Sequence, residues 1–517
     1  MTTSDTGVAS SSLSKESEKN HLLEESILPV SNNQRPISAL GFVWIWVGIA
    51  VMIATFQLGA NGITGVPLAN VVLIIFFANV VLALLMLLTA DIGTEHGLSF
   101  SVYLRAPFGV YGTHFPSVFR GIVAAIWFGI QTYLGALALN GIFEYLTGFS
   151  SWALWYVVFA AVQVANTAMG IKAVERLAAI AAPAILAISI WMYFTLDVLA
   201  QTQGINIWRF VGDQNITVLT LFLANVAFWS TLAIDIPNIT RFVKSPSGER
   251  RFFHRNKNVL LAQLLALPAT QAWIALIGAV SFIAAGDWNP VTVIQGQGEG
   301  LSLIILLVLV ILAQWSTNNA ANLIPAALAF VNAGAPRVSY PVAVAMAAVV
   351  GTLFMPWKIL DNLFTFLFSY GAFLSAIGGI MVADYYLIRK RRLNVPELYR
   401  EGGQFYYLKG FNPAGIIAWA VAGTVAFYSS QWAFVFGFLL GALIYFAIMR
   451  LFVMKRFTQV ECSAVDGDNY LGTTVGYNWV YERETRAFKR VHSSELEKGI
   501  SREDLYCLLY TSPSPRD

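Results

Sequence analysis

Apolar residues run in long blocks through most of this chain, and the polar breaks between them fall at the intervals a lipid bilayer sets. Twenty residues of α-helix rise about 30 Å, the thickness of a bilayer's hydrocarbon core. Twelve apolar stretches approach that length, at 39–59, 67–90, 118–146, 152–170, 177–200, 216–236, 258–285, 301–332, 339–356, 360–387, 412–429 and 432–454. Two long ones, 118–146 and 301–332, must tilt or extend past the lipid. The pattern predicts an all-α membrane protein with twelve transmembrane helices.

The flanks differ in kind. Residues 1–37 are polar and lack the basic start, apolar stretch and cleavage site of a signal peptide, so they read as a disordered cytoplasmic leader. A core of ten helices is expected over 38–388, a basic cytoplasmic loop over 389–411 and two further helices over 412–455. Residues 456–517 read as a polar cytoplasmic tail, without a helix or strand pattern long enough for a signalling domain. Its end, LLYTSPSPRD, is unrelated to what precedes it and reads as a cloning or assembly scar.

Basic residues orient the chain. With a cytoplasmic N-terminus, the loops on that side carry Arg105, Arg120, Lys172, Arg176, Arg241, Lys244, Arg250, Arg251, Arg255, Lys257, Arg337, Arg389, Lys390, Arg391, Arg392, Arg400 and Lys409. The opposite loops carry Arg209 and Lys358. Seventeen against two predicts both termini on the cytoplasmic side of an inner, or plasma, membrane.

Composition agrees. Of 517 residues 57% are hydrophobic and 12% charged, against about 25% charged in a soluble domain. A net charge of +3, with no basic face, gives no reason to expect a nucleic-acid partner. Cys462 and Cys507 both lie in the tail, and the five histidines are scattered, so no redox or zinc chemistry is indicated. Without a P-loop or a nucleophile–base constellation, neither an ATP-driven pump nor a membrane hydrolase is suggested, and no enzyme is expected.

Polar residues inside apolar segments are costly and tend to mark a pathway or a site. In the third segment, AAIWFGIQTYLGALALNG, Trp127 and Gln131 are four apart and share a helix face. An indole offers a face for stacking, and a carboxamide offers both acceptor and donors. Together they suit a planar ring carrying N–H and C=O groups, although ordinary packing and a helix–helix hydrogen bond fit them too.

The eighth segment, ILAQWSTNNAANLIPAALAF, puts Ala313, Ser316 and Thr317 on one face. Two hydroxyls beside loosened carbonyls would make an uncharged oxygen cage for Na⁺, while back-bonding within the helix is the plainer alternative. Asn318 and Asn322 form a second pair. On an ideal α-helix Thr317 and Asn322 are roughly 140° and about 7.5 Å apart, so they would serve two adjacent sites rather than one.

The sixth segment, TVLTLFLANVAFWSTLAIDIPNITRF, is interrupted by Asn225, Trp229 and Asp235, and Pro237 cannot donate an interior helix bond. Asp235 lies near the cytoplasmic end, where it is expected either to serve the site or to pair with Arg241 in water. The first segment carries Gly48 and a glycine-containing exit. Segments one and six correspond in a five-plus-five division of the first ten, and matching interrupted helices point to an inverted-repeat transporter with its site at the midplane.

Several longer motifs, in order, carry a resemblance: GLSFSVYLRAPFGVYG at 97–112, WFGIQTYLGALAL at 127–139, AQWSTNNAANLIPA at 313–326, MPWK at 355–358, GGIMVADYYLIRKRRL at 378–393 and LYREGGQFYYLKGFNPAG at 398–415. From about Ile37 to Lys455 the chain resembles the nucleobase:cation symporter-1 family, whose members include cytosine, purine, uracil, thiamine and allantoin permeases. Within it the motifs look most like the sodium–hydantoin symporter and allantoin permease branch. The resemblance implies a LeuT-type five-plus-five inverted repeat with two extra C-terminal helices. It implies a substrate site of Trp127, Gln131, Trp229 and Asn322, with Leu367 as a lid contact. Two indoles would sandwich the ring while Gln131 and Asn322 read its ureido edge. It also implies a sodium site made of the Gly48, Val51 and Ala313 carbonyls and the Ser316 and Thr317 hydroxyls.

Three positions depart from the family. Met52 stands where a carboxamide is usual, Phe228 stands where the hydantoin symporter has glycine, and DIPNITRF at 235–242 looks more like the allantoin and uracil members. The expected function is therefore cation-coupled uptake of a small planar heterocycle such as hydantoin, allantoin or uracil by a monomer, with Na⁺ favoured over H⁺ and no other cofactor. The alternative from another class is a substrate-sensing receptor with the same pocket and no net transport.

Overall fold

The computed structural model describes residues 22–169 and 171–498. Leader residues 1–21, Cys507 and the terminal LLYTSPSPRD lie outside the described residues, as do the side chains of Lys172 and Arg176.

An apolar helix stands at each of the twelve predicted segments. The first segment is a broken pair, α1 (Ala39–Ala50) and α2 (Ile53–Ile63), bent by 56°. It is followed by α3 (Leu68–His96), α4 (His114–Thr147), α5 (Trp152–Ala168) and α6 (Ile171–Thr202). The sixth segment is also broken, into α7 (Val218–Phe228) and the short α8 (Ser230–Asp235). Then come α9 (Lys257–Ala285), α10 (Gly300–Asn318) and α11 (Ile324–Gly334), the last two joined by a π-helical turn at Asn319–Leu323. Finally α12 (Tyr340–Leu353), α13 (Leu363–Val382), α14 (Pro413–Phe427) and α15 (Ala433–Ile448) complete the set. Among the described residues six helices are long and apolar enough to cross a membrane, or seven with the bent pair counted as one, and the remaining segments hold shorter apolar helices. Leu73, Phe77, Val157, Leu265 and Leu443 are exposed on the outer faces, as lipid-facing side chains must be.

Two packing groups define the architecture. In one, α9 packs on α1, α2 and α3, and α7 on α3. In the other, α4 packs on α5, α10, α11 and α12. The helices α14 and α15 lie against α13. Contact between α2 and α9 is close enough to require glycine. A Cβ on Gly59 would sit 1.9 Å from the Ala275 carbonyl oxygen, and one on Gly278 would sit 2.1 Å from that of Phe56. Small residues of this kind let membrane helices approach backbone to backbone.

The breaks fall where local chemistry puts them. After Ala50 the chain leaves helical geometry at Val51 and Met52, the latter extended (φ −91°, ψ 147°). Carbonyls of the last turn lose their helical partners there. The Thr55 hydroxyl donates to the Ala50 carbonyl at 3.2 Å. In the sixth segment the break comes at Trp229 and not at Pro237, which starts the next short helical turn. Proline at a first helical position costs nothing, because its missing N–H has no partner to lose.

Both flanks correct the sequence expectation. Residues 22–37, read as disordered leader, are packed: Leu22, Ile27 and Ile37 are buried, and the Arg35 guanidinium donates to the Thr94 carbonyl at 2.8 Å. Residues 456–498 form short helical turns and a hairpin, β1 (Tyr477–Glu482) and β2 (Ala487–His492). The segment before the hairpin is anchored by hydrogen bonds, since Glu95 accepts from the Gly472 and Thr474 N–H groups, each at 3.0 Å, and from the Thr474 hydroxyl at 2.6 Å. Neither flank carries a long periodic pattern, because each is held by scattered apolar and polar contacts with the helical core rather than by a core of its own.

Candidate functional site

Both broken helices meet at one seam between the two packing groups. A cavity there is lined by Met52, Trp127, Phe228, Trp229, Thr231, Leu232, Ala321 and Asn322. The first group supplies Met52, Phe228, Trp229, Thr231 and Leu232; the second supplies Trp127, Ala321 and Asn322. Any rocking of one group against the other changes this cavity's shape.

The cavity measures about 10 Å³, roughly the space of one water. Aromatic rings fill the rest. The Phe228 ring meets Trp127 edge-on at 5.4 Å and Trp229 at 5.2 Å, so it contacts both indoles that were expected to sandwich a substrate. Trp46 also packs edge-on against Trp229, at 5.9 Å.

The indole N–H of Trp229 donates to the Gln271 carboxamide of α9, which fixes that ring's orientation. From α13 it is Phe366 and Tyr370 that reach Trp127, at 5.7 and 6.5 Å. Leu367, the expected lid contact, is fully buried on the same helix and is not part of the cavity wall. Gln131 also lies outside the wall. It is fully buried, and both polar atoms of its carboxamide lack a hydrogen-bond partner. Leaving such a group unpaired costs about 1–3 kcal/mol. Gln263 and Gln314 are also buried with both carboxamide atoms unpaired, and Gln131 is the one of the three that lies a helical turn from Trp127 in the cavity wall.

Asn322 sits in the π turn and donates to the Asn318 carboxamide at 2.8 Å. A π turn inside an α-helix is frequent at functional sites. It also changes the phase assumed for an ideal helix, yet Thr317 and Asn322 still face different surroundings. Asn322 lines the cavity, while the Thr317 hydroxyl donates to the Gly48 carbonyl on α1.

Thr317 and Gly48, two of the expected sodium ligands, meet in that contact. Val51 and Ala313 line a second cavity, of about 20 Å³. Ser316 is buried and its hydroxyl lacks a hydrogen-bond partner. These groups offer oxygens only and carry no formal charge, a donor set suited to a hard monovalent cation.

The carboxylates near the helices are engaged elsewhere. Asp235 pairs with Arg120 of α4 at 2.9 Å, both fully buried, and not with Arg241. Arg241 instead donates to the Ser26 carbonyl at 2.9 Å. Asp384 is held by Arg389 at 2.8 Å, Tyr103 at 2.9 Å and Tyr445 at 2.6 Å. Arg120, counted from the sequence as a loop residue, lies inside α4. It donates to the carbonyls of two cavity residues, Thr231 at 3.2 Å and Ala321 at 3.4 Å. Sequence reasoning missed Gln271, although a carboxamide inside an apolar segment is the same signal that drew attention to Gln131, and it missed Thr231 and Ala321, since a hydroxyl or an alanine there gives little signal of its own.

The family model for permeases of cytosine/purines, uracil, thiamine and allantoin matches residues 29–449. The chain belongs to this permease family. It is 32% identical over 462 residues to a hydantoin permease of Microbacterium maritypicum, covering 88% of this chain and 94% of that one. It is 27% identical to an allantoin permease of Bacillus subtilis, over 84% of this chain and 95% of the relative. Among solved structures it resembles Mhp1, a nucleobase-cation-symport-1 family transporter, in a closed conformation with bromovinylhydantoin bound. The TM-score is 0.80 at 30% identity, covering 87% of this chain and 98% of that one. The resemblance drawn from the motifs is thereby borne out, as is the LeuT-type fold. This member of the family is a membrane permease for nucleobase-type compounds and not an enzyme.

Proposed function

We propose that this permease takes up a compact planar heterocycle with adjacent N–H and C=O groups, such as hydantoin, allantoin or uracil, together with Na⁺, by alternating access. The observation that carries the substrate reading is the buried, unpartnered Gln131 carboxamide one helical turn along α4 from Trp127, which walls the cavity at the seam of the two packing groups. Trp127 and Trp229 would bracket the ring, Gln131 and Asn322 would read its polar edge, and Met52 would close the pocket from the break in the first segment. Phe228 contacts both indoles, which favours a small ring without bulky substituents. Sodium would be held by Gly48, Val51, Ala313, Ser316 and Thr317. The twelve apolar segments would make twelve crossings, and the charge pattern would put both termini in the cytoplasm; a C-terminal reporter active only outside the cell would overturn that orientation.

The binding test is direct. Purified protein titrated with hydantoin, allantoin and uracil should bind at least one. Trp127→Ala should weaken that binding by roughly five- to 150-fold, since losing a stacking aromatic costs about 1–3 kcal/mol. Gln131→Ala should weaken it too, with the protein still folded and inserted. Wild-type affinity in both variants would return these residues to packing.

A further inference from the structure

Asn318 lies one helical turn before Asn322 and does not line the cavity. Its surroundings nevertheless decide what Asn322 can offer a ligand. The Asn318 Nδ2 donates to the Phe128 carbonyl at 3.0 Å and to the Gln163 Oε1 at 2.8 Å, with the Thr132 hydroxyl at 3.2 Å. Gln163 is itself fixed, because its Nε2 donates to the Phe159 carbonyl at 3.3 Å and to the Thr132 hydroxyl at 3.1 Å. Asn318, Gln163 and Thr132 are all fully buried.

A carboxamide can be turned by 180° at little cost in shape, so its direction must be read from its partners. Here two partners are main-chain carbonyls, which can only accept. Turning Asn318 would set its oxygen against the Phe128 carbonyl, and turning Gln163 would do the same at Phe159. Both amides are therefore locked, and the Asn318 Oδ1 is left facing Asn322. Asn322 must answer with its N–H, as it does at 2.8 Å. That uses one of its two N–H groups and holds the carboxamide with its oxygen end turned away from Asn318.

We propose that Asn318, pinned by Phe128, Gln163 and Thr132, is a positioning residue that fixes which way the Asn322 carboxamide faces, with its oxygen end turned from Asn318, so that the permease selects heterocycles presenting an N–H to that oxygen. This rests on the proposal that Asn322 contacts the substrate. A ring with an acceptor atom there meets the Asn322 oxygen head-on and is rejected.

The test compares hydantoin with two analogues that each lack one N–H. Oxazolidine-2,4-dione replaces it with a ring oxygen without added bulk, and 3-methylhydantoin blocks the other. Dissociation constants are measured on the full-length protein, wild type and Asn318→Ala, each checked for a monodisperse folded state. Wild type should bind oxazolidine-2,4-dione at least about tenfold more weakly than hydantoin, the scale of one buried hydrogen bond left unmade, and discrimination against 3-methylhydantoin alone overturns the proposal. Asn318→Ala frees Asn322 to turn its N–H to the ring, so that ratio for oxazolidine-2,4-dione should collapse towards one, whereas a structural defect would weaken all probes alike. Gln163→Leu removes part of the lock and should lower the ratio partially, which serves if Asn318→Ala does not fold. A ratio unchanged in the folded variants overturns the positioning role alone. Wild type that fails to discriminate overturns the N–H selection, and wild type that binds none of the probes refutes hydantoin-type rings as the substrate class.

Discussion

Arg120→Ala should cost the protein about 3–5 kcal/mol of stability, because it strands the buried Asp235 carboxylate without its partner. The pair is 2.9 Å apart with neither side chain exposed. Arg120 also ties α4 to the carbonyls of Thr231 and Ala321, in the wall of the cavity. The loss is therefore structural and local to the seam. Asp235→Ala in the same chain removes the stranded charge, so the double variant should recover much of the loss. Thermal unfolding in detergent measures both. A single variant as stable as wild type would mean that the carboxylate is neutral or finds water, and that the pair does not hold the seam.

The second large effect is on ion coupling. Thr317 joins α10 to the broken end of α1 through the Gly48 carbonyl, so a cation bound there would set the geometry of the break that carries Met52. If Na⁺ raises substrate affinity, substrate raises Na⁺ affinity by the same factor, typically about five- to 150-fold. Thr317→Ala should abolish that mutual effect while sparing most sodium-free substrate binding, and Thr317→Ser should keep it. No group in the cage titrates near pH 7, and Asp235 and Asp384 are both committed to arginines. Binding that responds to pH, ignores Na⁺ and survives Thr317→Ala would instead assign the coupling to those carboxylates.

Much of the fold was legible because lipid imposes a length and a polarity that a sequence cannot hide. Apolar blocks of bilayer length located the helices, and the corresponding interruptions in segments one and six located the seam. What stayed hidden depends on partners distant in sequence. Asp235 reads as a neighbour of Arg241, but its partner is Arg120, more than a hundred positions earlier. The π turn at Asn319–Leu323 leaves no mark that separates it from an α-helix. Leu367 was expected at the lid, whereas the rings that reach Trp127 are Phe366 and Tyr370. Residues 22–37 are held by a few separated apolar side chains, Leu22, Ile27 and Ile37, and the tail by single polar contacts such as those to Glu95, and a polar composition alone reads as disorder. Phe228 was visible as a departure, but its contact with both indoles needed the three-dimensional arrangement.

The central claim, sodium-coupled uptake of a hydantoin-type heterocycle, is tested most directly in proteoliposomes. Radiolabelled hydantoin, allantoin or uracil is offered outside, with an inward Na⁺ gradient, with equal Na⁺ on both sides, or with an inward proton gradient and no Na⁺. At least one compound should accumulate above its equilibrium level only under the Na⁺ gradient, and Trp127→Ala should abolish that accumulation. Accumulation under the proton gradient alone, or binding without any uptake, would contradict it.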